Sequence, residues 1–80
     1  MTHLPTDKLA LNDRIKIHGW IMMKGMDDNK TYTLIRKDAY SYTFRKGYNG
    51  KLVRHYKDDI HLWMSDQKGV NENRIELLNH

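Results

Sequence analysis

The chain has no cysteine, and its single proline, Pro5, lies in a polar lead. Without cysteine, disulfides and thiolate metal sites are excluded, so a small scaffold must rely on packing; a reducing, cytoplasmic setting is the expectation. There is one phenylalanine, Phe44, so the interior must recruit Ile, Leu, Met, Tyr and Trp. No apolar run approaches ~18 residues, and residues 1–13 lack a basic segment followed by an apolar run, so neither membrane spanning nor secretion is expected. A nucleophile–base arrangement and a glycine-rich phosphate loop are also missing. An enzyme is therefore not expected, and neither a cofactor nor a metal.

What is present fits one folded domain over residues 1–80, with 1–8 as a loose lead, existing as a monomer or small homo-oligomer. Eighty residues bury little more than ~60% of their unfolded surface, which leaves no material for a second core. Apolar residues make up 39% and charged residues 30%, a balance that folds rather than stays disordered. Fourteen Lys and Arg stand against ten Asp and Glu, for a net charge of +4. The excess is concentrated: between Lys30 and Lys57, eight bases accompany one acid, Asp38. Such a stretch attracts polyanions, although it also serves solubility alone.

Alternation over Arg14–Lys24 predicts a first strand, with Ile15, Ile17, Ile21 and Met23 on one face and Arg14, Lys16, His18, Trp20, Met22 and Lys24 on the other. Gly19 on the apolar side predicts a bend or bulge. Gly25 to Lys30 supplies a turn, and Thr31–Lys37 a second strand with Tyr32 and Leu34 inward. Tyr40, Tyr42 and Phe44 alternate in a third strand whose aromatic side packs. Asn49-Gly50 predicts a two-residue type I′ hairpin, since both positions tolerate positive φ, and Lys51–Tyr56 returns as the fourth strand. Residues 59–68 read as a short helix with Asp58 as cap, Ile60, Trp63 and Met64 on one face, and Gly69 just past the end. Val70 to Asn73 reads as loop. Arg74–Leu78 closes the series as a strand, with Ile75 and Leu77 inward. The expected fold is mainly β: a five-stranded antiparallel bent sheet or small barrel with a short helix near residues 59–68.

This order resembles the Src-homology-3-like or Tudor-type small β-barrel, with Leu11-Asn12-Asp13-Arg14-Ile15 opening the first strand and Tyr56-Lys57-Asp58-Asp59-Ile60 ending the fourth. The resemblance covers about residues 9–78 and implies a closed barrel. It departs at Asp58 to Asn73, which is longer than the single helical turn such barrels place there.

Two constellations bear on function. Lys16, Trp20, Arg36, Arg45, Lys46, Tyr48, Lys51 and Arg54 form a candidate nucleic-acid surface, because Lys and Arg contact phosphates while Trp, Tyr and Arg planes stack on single-stranded bases. The competing explanation is a solvated face whose basic residues simply point outward, with Trp20 covering a neighbouring strand. The second is Arg54-His55-Tyr56-Lys57-Asp58-Asp59-Ile60-His61, with two imidazoles and two carboxylates. Its spacing matches no ligand motif and nearby cations oppose a metal, so caps and polar neighbours explain it better. The leading expectation is a small cytoplasmic binding module for DNA or RNA. The alternative is a protein adaptor or inhibitor, of phage or mobile-element type, docking by a sheet edge or by an aromatic patch around Trp20 and Tyr48.

Overall fold

The computed structural model describes residues 6–64 and 72–78. In chain order the elements are β1 (Arg14–His18), β2 (Thr31–Lys37), β3 (Ser41–Lys46), β4 (Leu52–Tyr56), α1 (Lys57–Met64) and β5 (Arg74–Leu78). The strands form one antiparallel sheet in the order β4-β3-β2-β1-β5. Strands β4 and β5 are its two edges and do not pair with each other. The sheet is therefore open, and of the two expected forms the bent sheet is found rather than the closed barrel.

Alternation within each strand sorts the side chains onto two faces. The inner face carries Ile15, Ile17, Tyr32, Leu34, Tyr42, Phe44 and Ile75, all buried. Over it lie Ile60 of α1, Leu9 of the N-terminal segment, and Ile21, Met23 and Met26 of the β1–β2 loop, with Trp63 and Met64 packed at the margin. Each fully buried aliphatic or aromatic side chain stabilises the fold by about 1.5–3 kcal/mol. The cover is thus partly a loop, which Tyr32 holds down: its hydroxyl donates to the Gly25 carbonyl at 2.8 Å and accepts the Asp27 N–H at 2.8 Å.

The first strand ends at His18, six residues before the alternation does. Gly19 has φ +74°, and a Cβ there would lie 2.0 Å from the Asn73 side-chain oxygen. The same oxygen accepts the Trp20 N–H at 2.9 Å, and Asp28 accepts the Gly19 N–H at 2.7 Å. Backbone groups that would continue a ladder are thereby satisfied by side chains, and the chain turns under the sheet. Ile21 and Met23 keep their inward place, but as loop residues.

The β3–β4 hairpin exists, but its turn differs from the two-residue one expected. Arg45 pairs with Leu52, and the Gly50 N–H donates to the Lys46 carbonyl at 2.8 Å, so Gly47–Gly50 form a four-residue loop. Positive φ falls on Gly47, at +58°, rather than on Asn49 or Gly50. Tyr40, expected inward, is 43% exposed because β3 begins at Ser41; Tyr40 belongs to the preceding turn, where its carbonyl accepts the Lys57 N–H. Helix α1 starts at Lys57, so Asp58 and Asp59 both lie in its first turn, where they complement the helix dipole, and Asp58 is not the cap. The expected helix positions 65–68, Gly69, and residues 70 and 71 of the expected loop lie outside the described residues.

The N-terminal segment is fixed by charge. Lys57 is only 4% exposed; its ammonium bonds to Asp7 and lies 5.5 Å above the Tyr42 ring. Lys37 pairs with the same carboxylate at 3.0 Å. These two ammonium groups hold the Asp7 carboxyl below its ordinary range.

Candidate nucleic-acid interface

The opposite face of the sheet has no described element over it. The pairings place its residues in rows across the strands. One row runs Leu52, Arg45, Thr33, Arg14, Leu78. The next runs Arg54, Thr43, Arg36. On the other side stand Thr31, Lys16 and Glu76, then His18 and Arg74. All five arginines of the chain therefore occupy this face, one on each strand: Arg54 on β4, Arg45 on β3, Arg36 on β2, Arg14 on β1 and Arg74 on β5. Each is exposed. With strands about 4.8 Å apart, the zigzag from Arg54 to Arg74 is about 19 Å across.

A β-bulge makes this arrangement possible. Leu34 pairs with Phe44 and Arg36 with Thr43, so Ile35 and Arg36 together oppose one residue. Strict alternation from Tyr32 and Leu34 would send Arg36 into the core. The extra residue turns it outward and puts Lys37 inward, where it reaches Asp7 and, at 3.4 Å, the Leu9 carbonyl.

Two carboxylates share the face. Asp38 stands between Arg36 at 3.5 Å and Arg54 at 3.8 Å and accepts the Ser41 hydroxyl at 3.3 Å, while Arg54 Nε donates to Ser41 Oγ at 2.9 Å. Beside this tether is an open cleft lined by Ser41, Arg54, His55, Tyr56 and Asp59. Glu76 contacts His18 at 2.6 Å, and that bond holds its carboxyl below its ordinary value. Among the described residues, Arg14, Arg45 and Arg74 have no such tether to an acid. The other described acids, Asp7, Asp13, Asp27, Asp28, Asp58, Asp59 and Glu72, stand outside the strands.

Of the residues singled out from the sequence, Lys16, Arg36, Arg45 and Arg54 come together on this face. Lys46 shares the inner side of β3 with Tyr42 and Phe44, and its ammonium is bound to Asp27, which raises it above the ordinary lysine range. Tyr48 and Lys51 lie in and beside the hairpin loop, and Trp20 lies in the β1–β2 loop. Both loops are at the same end of the sheet, with Trp20 71%, Met22 74% and Tyr48 90% exposed. Arg74 and the threonines were not singled out. The alternation of Arg74 with Ile75 and Leu77 carried the signal, but only the β1–β5 pairing connects it to the others.

The two histidines of the second constellation do separate structural work. His55 Nε2 donates to the Lys24 carbonyl at 2.7 Å, tying the β1–β2 loop to β4. His61 Nε2 meets the Tyr42 hydroxyl at 2.8 Å, which also accepts the Lys8 N–H at 3.0 Å. Burial, with the Lys8 charge second, keeps the His61 imidazole below its ordinary value. Among the described residues no group of three or more metal-ligating side chains comes together, and no helix is long and apolar enough to cross a membrane. No protein-family model, curated protein or solved structure matches this chain.

Proposed function

We propose that this chain is a non-enzymatic module that binds nucleic acid through the open face of its sheet. The observation that carries the reading is the placement of one exposed arginine from every strand on that single face. Arginine presents a planar fork of donors suited to phosphate oxygens, and threonine hydroxyls beside it add further donors. An ordinary solvated face intersperses both signs of charge. Here Arg14, Lys16, Arg36, Arg45, Arg54 and Arg74 meet only Asp38 and Glu76, while the other described acids stand in loops, turns and the helix. A cytoplasmic setting accords with a chain free of cysteine.

Fluorescence anisotropy with labelled DNA and RNA oligonucleotides is the test. Binding is expected at ~50 mM salt and is expected to weaken steeply by ~200 mM, as released counterions require. Absence of binding to every oligonucleotide at the lower salt refutes the reading. The exposed Trp20, Met22 and Tyr48 favour a second reading, docking of a protein partner at the loop end of the sheet. Trp20→Ala separates the two: it leaves oligonucleotide affinity unchanged if the open face is the binding surface.

A further inference from the structure

Resting on that reading, we infer that the partner is a double helix contacted through its phosphates, rather than a single strand held through its bases. The reason lies in what separates the arginines. Proteins that hold single strands combine a basic groove with aromatic side chains on which successive bases stack. On this face threonines separate four of the five arginines, Thr33 between Arg45 and Arg14 and Thr43 between Arg54 and Arg36, while Lys16, Glu76 and His18 stand between Arg14 and Arg74. The aromatic residues of the central strands, Tyr32, Tyr42 and Phe44, all point into the core. Tyr56 is the one aromatic on the face, and it sits at the outer corner of the β4 edge. Trp20 and Tyr48 lie beyond the strand ends, in loops.

A surface whose centre is guanidinium groups and hydroxyls, with the rings of Tyr56 and His18 only at its margins, offers no run of aromatic side chains for successive bases and suits a partner whose bases are already stacked on one another. The dimensions agree. A ribbon about 19 Å across corresponds to the rise of about five to six base pairs, at 3.4 Å per phosphate along each strand. The sheet twists by about 20–25° per strand, so the ribbon is a saddle that follows a curved surface rather than a plane. Phosphate contacts carry no sequence information, so binding of this kind is expected to be independent of sequence.

DNA and RNA duplexes offer the same phosphate chemistry and are separate arms of the experiment. Affinities are measured by anisotropy for a 20-base-pair DNA duplex, the corresponding RNA duplex and each single strand, across a salt series. Five phosphate contacts predict a slope of log K against log salt near about −4.5 on duplex DNA, against about −3.5 for the same contacts on a single strand. At least one duplex is expected to bind about tenfold or more tightly than its own single strands, with no change when the sequence is scrambled. Arg45→Gln and Arg14→Gln each make the slope shallower by about 0.9. Both arginines are exposed and flank the same threonine, Thr33, so urea midpoints serve as a folding control. Single strands bound as tightly as duplexes, or unchanged slopes in both variants, overturn the inference while nucleic-acid binding itself stands. No binding to any oligonucleotide overturns both.

Discussion

The hairpin between β3 and β4 offers a sharp test, because two turn geometries consistent with the same residues make opposite predictions. In a two-residue type I′ turn at Asn49-Gly50, both residues need positive φ, and Asn49→Ala is costly. In the four-residue loop, positive φ belongs to Gly47, whose Cβ position is in open space, and a Cβ on Gly50 would lie 2.2 Å from the Lys46 carbonyl oxygen. That oxygen accepts the Gly50 N–H. Gly47→Ala places an L-residue in the left-handed region at about 1–2 kcal/mol, partly offset by about 0.4–1 kcal/mol from the stiffer unfolded chain. The net is about 1 kcal/mol. Gly50→Ala forces the backbone apart at the point that closes the loop, losing a hydrogen bond worth about 1 kcal/mol and adding strain, for about 2–3 kcal/mol in all. Asn49→Ala stays within about 0.5 kcal/mol. With a urea m-value near ~1 kcal/mol/M for so small a domain, the midpoints fall by about 1 M, 2–3 M and under 0.5 M respectively. An Asn49→Ala loss as large as that of Gly50→Ala would falsify the four-residue geometry.

Other perturbations probe the core, the loop and titration. Phe44→Ala empties a fully buried site beside Tyr42, 6.0 Å away edge-to-face, and is expected to cost about 3–5 kcal/mol by urea denaturation. Against a total of roughly 4–12 kcal/mol for a chain of this length, the variant is near unfolding at 37 °C; a loss under ~1.5 kcal/mol refutes the core placement. Gly19→Ala combines positive φ with a collision on Asn73 and is expected to lower the thermal midpoint by at least 8 °C, about 2 kcal/mol, where an exposed-strand glycine would be nearly neutral. His61 is held below its ordinary value, so the unfolded chain takes up its proton first: stability is full above about pH 6.5 and falls as pH drops through the lower folded value. Urea midpoints between pH 7.5 and 5 check this, and His61→Gln is expected to flatten that decline. Asp7 and Glu76, also held low, lose their contributions only at more acidic pH, below about 4. Deleting Ile35 removes the extra residue and leaves Arg36 outward opposite Thr43 and Lys37 inward opposite Tyr42, so the deletion variant is expected to stay folded with a cooperative urea transition; an unfolded deletion variant contradicts the assigned register.

The strands were legible where one face is fully buried. Tyr32 with Leu34, and Tyr42 with Phe44, announce both their strands and their facing, because a one-residue slip would expose all four. Strand ends were less legible, since they depend on distant partners. Alternation runs through Trp20 and Met22, but the ladder stops at Gly19, because Asp28 and Asn73 supply acceptors that a local pattern does not contain. The Asn49-Gly50 pair marked a real hairpin and the wrong turn: the Gly47 backbone, with φ +58°, moved the reversal earlier. Lys46 looked like part of a basic surface until Asp27, nineteen residues away, claimed it. Arg74 was invisible as a neighbour of Arg14 because β5 pairs with β1 although three strands and a helix separate the two in the chain.

The bulge at Ile35 joins these strands of reasoning, since it is the point where fold and surface make opposing demands. Tyr32 and Leu34 require β2 to keep its inward face, and Lys37 must also point inward to share Asp7 with Lys57. Between Leu34 and Lys37 a regular strand would carry both Arg36 and Leu34 inward and turn Lys37 to solvent. Burying an unpaired guanidinium is prohibitive, with effective penalties of several kcal/mol, so a regular β2 conflicts with its own sequence. One additional residue resolves both conflicts. It brings Lys37 to the anchor of the N-terminal segment and Arg36 to the open face, completing the series of one arginine per strand. An insertion that served only packing would not need an arginine at the residue it turns outward. That coincidence ties the irregularity of β2 to the surface on which the proposed activity depends.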